Sequence, residues 1–362
     1  GSRSCQPGRS RPDEDRRDKP CAESSKCWCN RVAGSCQTVD ANCQPHYDWY
    51  GALGLIVESP PTGFRWIVTR FILRAVLVLL IASLATLSAA EISVTDDTGE
   101  PLTLARPARR IISLAPALTE ILYHVGGGQH LVGTVDHSDY PKAARQVERI
   151  GSHDRFDFES ILRLQPDLVL AWESGNPSNQ VRRLEQLGLK VYRAEPGTLD
   201  RLASTILRVG ALIGQLEVAT LLTHQFQREA KAIQQRYSRR RRLSVFYQVW
   251  HDPLITLNGN HLVSKMLEDC GASNVFSELP DIAPVVTLES VLSRNPQVII
   301  AGGTAKGAPA WLNNWQTWSH IDAVRHNRLY TVNADLLHRY SPRVLDGMRE
   351  LCDVIEQARR AG

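Results

Sequence analysis

The sequence predicts an α/β protein built from two Rossmann-like lobes with parallel sheets, joined by a long backbone helix. Three observations carry this. Residues 158–171 read FESILRLQPDLVLA and residues 288–301 read LESVLSRNPQVIIA, so one helix–turn–strand word occurs twice. Each copy opens a helix with Glu-Ser, stops it at Pro166 or Pro296, and then runs apolar on both faces, as in a parallel sheet covered by helices. Shared glutamate, serine and proline positions favour duplication of a lobe over chance likeness between two ordinary αβ units. Between the copies, Leu199, Leu202, Ile206, Val209 and Ile213 follow helical spacing behind Thr198, an N-cap residue.

Taken in order, residues 1–66 are rich in Arg, Asp, Pro, Ser and Cys without apolar periodicity, and are expected to be unstructured. They hold Cys5, Cys21, Cys27, Cys29, Cys36 and Cys43, whose spacings match no zinc framework. Residues 67–90 read as an export signal. Arg70 and Arg74 precede an uncharged run, Ala75 to Ala90, which ends in Ser88-Ala89-Ala90. That run is shorter than the roughly 20 apolar residues of a membrane anchor. The only methionines are Met266 and Met348, so translation is expected to start near Val68 at another codon, with residues 1–66 read through from upstream.

Residues 91–108 are expected to be an N-terminal extension and 109–197 the N-terminal lobe. Residues 198–238 are expected to be the linking helix, which Gly210 and Gly214 can bend or interrupt, and 239–362 the C-terminal lobe. Further strands are expected at Arg110–Leu114, Leu131–Asp136, Leu189–Arg193, Leu243–Val249 and Arg328–Val332. The alternation with helices makes the fold α/β, with a ligand cleft between lobes outside the carboxyl ends of the strands.

Net charge is +4 over 362 residues, which gives no reason to expect a nucleic-acid partner. The basic run Arg239 to Arg242 reads as a solvated link. The chain has no G-x-S-x-G elbow, P-loop or H-E-x-x-H, and its histidines lack metal-ligand spacing, so an enzyme is not expected.

The words RIISLAPALTEILYHVG (110–126), GTVDHSDYP (133–141), PDLVLAW (166–172) and QVWHDPLIT (248–256), with Cys270 and Cys352, resemble the helical-backbone periplasmic binding proteins (class III) for haem, ferric siderophores and cobalamin. The likeness covers about residues 105–360 and is nearest to the cobalamin branch. It implies a monomeric periplasmic protein that captures cobalamin between its lobes and delivers it to the permease and ATPase of an inner-membrane ABC importer. Haem or a ferric siderophore is the alternative cargo. It also implies a Cys270–Cys352 disulfide, with two buried thiols as the alternative.

Candidate ligand contacts follow from strand ends and from the resemblance. Trp172 and Trp250 each end an apolar strand, one per lobe, and are expected to wall the cleft. His137 stands where the family has a tyrosine, and His153 and Ala283 where it has tryptophans. An imidazole there can bond amides or ligate a metal, with His137 a possible axial ligand. Tyr140 and His251 are further axial candidates for haem, and Arg155 is the lone arginine of these loops. Gly302, Gly303 and Thr304 match a loop whose backbone approaches ligand. Glu289 matches a carboxylate that pairs with a permease arginine, or it simply favours its helix start. In the first lobe the matching position is Ser178, so Glu173 is expected to substitute, with Glu159 the alternative suggested by the repeat.

Overall fold

A computed structural model describes residues 91–303 and 307–361, with Arg70, Ile72 and Arg74–Val76 as short helical pieces before them. Residues 1–66, most of the expected export signal, and Thr304 lie outside the described residues.

The expected extension holds an antiparallel hairpin of β1 (Ile92–Thr95) and β2 (Pro101–Leu104). Asp96 turns it: its Oδ1 accepts from the Thr98 amide (2.8 Å) and hydroxyl (2.7 Å) and from the Glu100 amide (3.1 Å). Asp97 ties the hairpin to the first lobe, accepting from the Glu195 amide at 2.7 Å and from Arg208 at 2.6 Å.

The first lobe runs β3 (Ile111–Ser113), α1 (Pro116–His124), β4 (Leu131–Thr134), α2 (Phe158–Arg163), β5 (Leu168–Trp172), α3 (Ser178–Gln186) and β6 (Val191–Ala194). Its parallel sheet has the order β4-β3-β5-β6.

The expected single linking helix is two antiparallel helices, α4 (Leu199–Leu212) and α5 (Leu216–Tyr237). The break falls at Gly214, whose φ of +75° suits a residue without Cβ. A Cβ on Gly210 would lie 2.1 Å from that of Ala219, so only glycine lets the two helices meet there. Thr223 donates to the Ala203 carbonyl across the pair at 3.4 Å. Among the described residues, α5 is the helix of the pair bonded to the second lobe, through Glu229–Arg349 (2.5 Å), Gln234–Asp269 (2.6 Å) and Tyr237–Asp353 (2.8 Å).

The second lobe runs β7 (Leu243–Gln248), the hairpin β8 (Trp250–His251) and β9 (Leu254–Ile255), α6 (Leu262–Asp269), β10 (Ala272–Asn274), α7 (Leu288–Arg294), β11 (Val298–Gly303), α8 (Asp322–Arg325), β12 (Leu329–Asn333), α9 (Ala334–Leu337) and α10 (Val344–Arg360). Its parallel sheet has the order β10-β7-β11-β12. The repeated words form α2–β5 and α7–β11, and both strands hold the third place in their sheets. Asp157 and Thr287 cap the two helices alike, each accepting from the serine amide three residues on at 3.2 Å.

The apolar runs divide by alternation, as a sheet covered on both faces requires. Leu168 and Leu170, like Val298 and Ile300, enter one core that continues through the helix pair from lobe to lobe. Val169 and Ala171 enter a separate core behind the first sheet, and Ile299 and Ala301 one behind the second.

Cys270, at the end of α6, is bridged to Cys352 in α10, with Cα atoms 4.8 Å apart and a sequence separation of 82. Closing a loop of that length contributes about 4 kcal/mol in the chain-entropy picture.

Candidate functional site

The carboxyl ends of the first sheet and the segment after α9 face each other across the lobes. They enclose a cavity of about 210 Å³ lined by Ala115, Pro116, Leu118, Trp172, His338 and Tyr340, with His153, Pro196 and Arg339 beside them. Apolar atoms make most of its wall, so its polar groups stand out singly.

Trp172 ends β5 with its main chain locked by Asn176. The Asn176 Oδ1 accepts the Trp172 amide at 2.7 Å. Its Nδ2 donates to the carbonyls of Leu114 (2.9 Å) and His153 (2.8 Å). One buried amide thus ties the end of β3, the end of β5 and the His153 loop together. A Cβ on Gly175 would lie 1.9 Å from the Trp172 ring, so a glycine is needed for the indole to lie on this loop. The indole N–H donates to Glu195 at 3.4 Å, and the ring meets the edge of Tyr340 from the other lobe at 6.0 Å between centroids.

Beside the cavity, Glu120 of α1 is 4% exposed. Arg343 of the second lobe grips it with two bonds, of 2.9 and 2.5 Å, and Arg339 stands 3.5 Å away. Arg339 also bonds Asp139 at 2.6 Å and approaches Asp335 at 3.4 Å. Burial works against the Arg339 charge, but Asp139, Asp335 and Glu120 outweigh it and raise its pKa. The Arg343 guanidinium lies 3.7 Å above the ring of Tyr140. A second cavity of about 220 Å³ opens at Glu120, Tyr123, Tyr140 and Arg343.

Under the cavity floor lies a chain of rings. The Tyr247 hydroxyl is 3.0 Å from His338 Nε2, and the Tyr340 hydroxyl is 3.1 Å from His261 Nε2. His261 Nδ1 accepts the Val263 amide at 3.1 Å, which caps α6. Burial, and then the neighbouring His338, push His261 down to about 4. Burial also lowers His338 against the pull of Asp335, and it raises Tyr340 to about 12.

The structure therefore brings together Trp172 and His153 of the expected contacts, with Gly302 close behind the floor. A Cβ on Gly302 would stand 3.7 Å from the His338 ring. Tyr140 belongs to the second cavity. His137 is exposed at a positive φ of 62° and lines neither cavity, and Gly303 is filled in by Thr331 and the Gly307 backbone. Trp250 is half exposed on the β8–β9 hairpin, with its indole N–H donating to the Asp252 carbonyl at 2.9 Å. It pairs with Ile255, which bridges Val285, so Trp250 and Val285 form an exposed apolar edge apart from the Trp172 cavity. His251 stacks on Trp311 at 5.6 Å, and Ala283 and Arg155 are exposed.

The acids differ in kind. Glu289 and Glu159 are both exposed and occupy the same place in the first turn of α7 and α2. Glu173 is half-buried and pairs with Arg193 at 3.2 Å, and Ser178 opens α3. Sequence reasoning missed Glu120, Asn176, His338, Tyr340 and Arg343. The signal for Glu120 was a lone acid inside the apolar helix PALTEILYH.

Residues 111–336 match the family described as periplasmic binding protein. The vitamin B12-binding protein of Vibrio cholerae is 36% identical over 255 residues, which is 70% of this chain and 91% of that one. A crystal structure of the periplasmic vitamin B12 binding protein BtuF of Vibrio cholerae superposes with a TM-score of 0.65 at 35% identity, covering 70% of this chain and 98% of that one. The periplasmic heme-binding protein RhuT from Roseiflexus sp. RS-1, in apo form, shares the fold at a TM-score of 0.62 and 22% identity, covering 70% and 100% of the two chains.

The buried imidazole sets a pH dependence. With its folded pKa near 4 against about 6.5 unfolded, His261 favours the native state fully above pH 6.5. Below that the unfolded chain takes up the proton first, and the contribution is lost as pH falls through 4. Urea unfolding at pH 7.0 and pH 4.5 is expected to differ by about 2–3 kcal/mol more in the wild type than in His261→Gln. Equal differences in the two proteins contradict a buried neutral His261.

Proposed function

The chain belongs to the periplasmic binding protein family, and from that premise we propose that it captures cobalamin between its lobes and delivers it to an ABC importer. The observation that carries the reading is the apolar cavity where Trp172 of one lobe meets Tyr340 of the other, outside the carboxyl ends of the first sheet. A corrin is a broad, flat and largely apolar ring with amides on its rim. Aromatic edges that flank single polar groups suit it.

Pockets for bound small molecules usually measure about 300–1,000 Å³. At about 210 Å³ the cavity holds only part of a macrocycle. The rest of the ring would extend over neighbouring surface, for which the exposed Trp250–Val285 edge and the Tyr140 cavity are the candidates. In this reading residues 67–90 export the chain to the periplasm, and the inner-membrane permease and ATPase are its partners.

Titration with cyanocobalamin, haemin and a ferric siderophore, followed by tryptophan fluorescence, tests the cargo. Cyanocobalamin is expected to bind at micromolar concentration or below and to quench Trp172, and Trp172→Ala is expected to weaken it at least tenfold, the range of an aromatic anchor. Micromolar binding of haemin alone contradicts the cobalamin reading.

For docking, the repeat supports Glu159 and Glu289 as a matched pair of exposed acids, one per lobe, in place of Glu173, whose charge Arg193 already takes up. Such charges set orientation and encounter more than affinity. Glu159→Arg with Glu289→Arg is expected to leave cyanocobalamin affinity unchanged and to abolish uptake into vesicles holding the importer. Undiminished uptake contradicts the docking role.

A further inference from the structure

We propose that His338 and Tyr340 form a pair of fixed hydrogen-bond donors in the cavity floor, aimed at carbonyl oxygens on the rim of the bound macrocycle. This rests on the corrinoid reading above and adds to it which ligand groups the second lobe recognises.

Tyr247 is fully buried, and among the described residues the only partner of its hydroxyl is His338 Nε2, 3.0 Å away. A phenol carries one donor proton. If His338 held its own proton on Nε2, that imidazole would donate to the phenol oxygen and leave the buried O–H with no acceptor. Orphaning a buried donor is costly. With Tyr247 donating to Nε2, both groups are satisfied and the His338 proton sits on Nδ1. Burial keeps the ring neutral. Nδ1 has no partner among the described residues, while the ring lines the cavity.

The second ring pair gives the same result by the opposite tautomer. His261 Nδ1 accepts the Val263 amide, so it carries no proton. Neutral His261 therefore holds its proton on Nε2 and donates it to the Tyr340 oxygen 3.1 Å away. The Tyr340 proton then has to point elsewhere. No acceptor lies within bonding distance among the described residues, and the ring edges the same cavity.

Two partners thus fix two protons from behind, one through the buried Tyr247 hydroxyl and one through a helix-capping imidazole. Both free protons are left to the ligand. A floor that presents this pair of donors selects acceptors, namely the carbonyl oxygens of rim amides or the oxygens of carboxylates. It also leaves His338 unsuited to ligate a metal centre, because one ring nitrogen is bonded and the other is protonated. Corrinoid amides and haem propionates share the acceptor chemistry, so both ligands belong in the test.

Long-range nitrogen–proton NMR of the full chain is expected to show His338 protonated on Nδ1 and His261 on Nε2. Tyr247→Phe is expected to shift His338 away from the pure Nδ1–H form, a change that a packing role for Tyr247 would not produce. Tyr340→Phe keeps the ring against Trp172, and His338→Leu removes the imidazole. Each is expected to weaken cyanocobalamin about fivefold to thirtyfold, the loss of one satisfied hydrogen bond. His338→Asn restores a donor near Nδ1 and is expected to bind within about threefold of wild type. Aquocobalamin is expected to keep its visible spectrum on binding. The proposal is overturned by an Nε2–H tautomer at His338, by unchanged affinity in both Tyr340→Phe and His338→Leu, or by an imidazole-ligated cobalt spectrum. A wild type that binds haemin and no corrinoid fails the cargo reading instead, and the NMR result then stands apart from it.

Discussion

The geometry of the cleft depends on one buried carboxylate. Glu120 sits in an apolar helix of the first lobe, and its charge is met by Arg343 and Arg339 of the second. A buried charge that loses its partners costs several kcal/mol, although the intact pair adds little net stability over an apolar contact. The cluster therefore acts on geometry. The lobes cannot part at this point without stranding Glu120, so the distance from Trp172 to Tyr340 is held from one side. The helix pair α4–α5 and the core continuous through it hold the other. Where two lobes are fixed in this way, a cavity between them is preformed, and less ordering is left for the ligand to offset.

Within that frame, each wall is aimed by groups that lie outside the cavity lining. Asn176 joins three segments and so sets where Trp172 and His153 stand. Gly175 clears room for the indole. In the second lobe, Tyr247 and His261 play the same part for His338 and Tyr340. The two lobes share a sheet order and yet supply different chemistry at the cleft. The first gives an aromatic face, and the second gives directed protons.

Much of the fold was legible in the sequence, because a strand covered on both faces reads as an unbroken apolar run and proline marks where its helix ends. That is why β5 and β11 and the words before them could be paired as copies. Trp172 was legible for the same reason, as a large aromatic at the end of such a run. Trp250 met the same criterion, but the chain turns into a two-residue hairpin after β7 and leaves it on an exposed edge. The helix break at Gly214 was marked by its glycine, but not the antiparallel course that follows. His338 and Tyr340 were illegible because HRYSPR has no periodicity and reads as a polar loop. Their meaning comes from Tyr247 and His261, distant in sequence and brought near only by the fold. The Cys270–Cys352 bridge came from resemblance, which favoured it over two buried thiols.

The claim that a cross-lobe ion cluster presets the cleft is tested most directly by measuring the distance between the lobes. Spin labels at the exposed Arg182 and Ser293, in a chain whose cysteines other than Cys270 and Cys352 are serine, report it by pulsed electron resonance. One narrow distance is expected in the free protein, shifted by cyanocobalamin by less than about 2 Å, and a broadened distribution in Glu120→Gln. A broad distribution in the free wild type that collapses only when ligand binds would contradict a preset cleft.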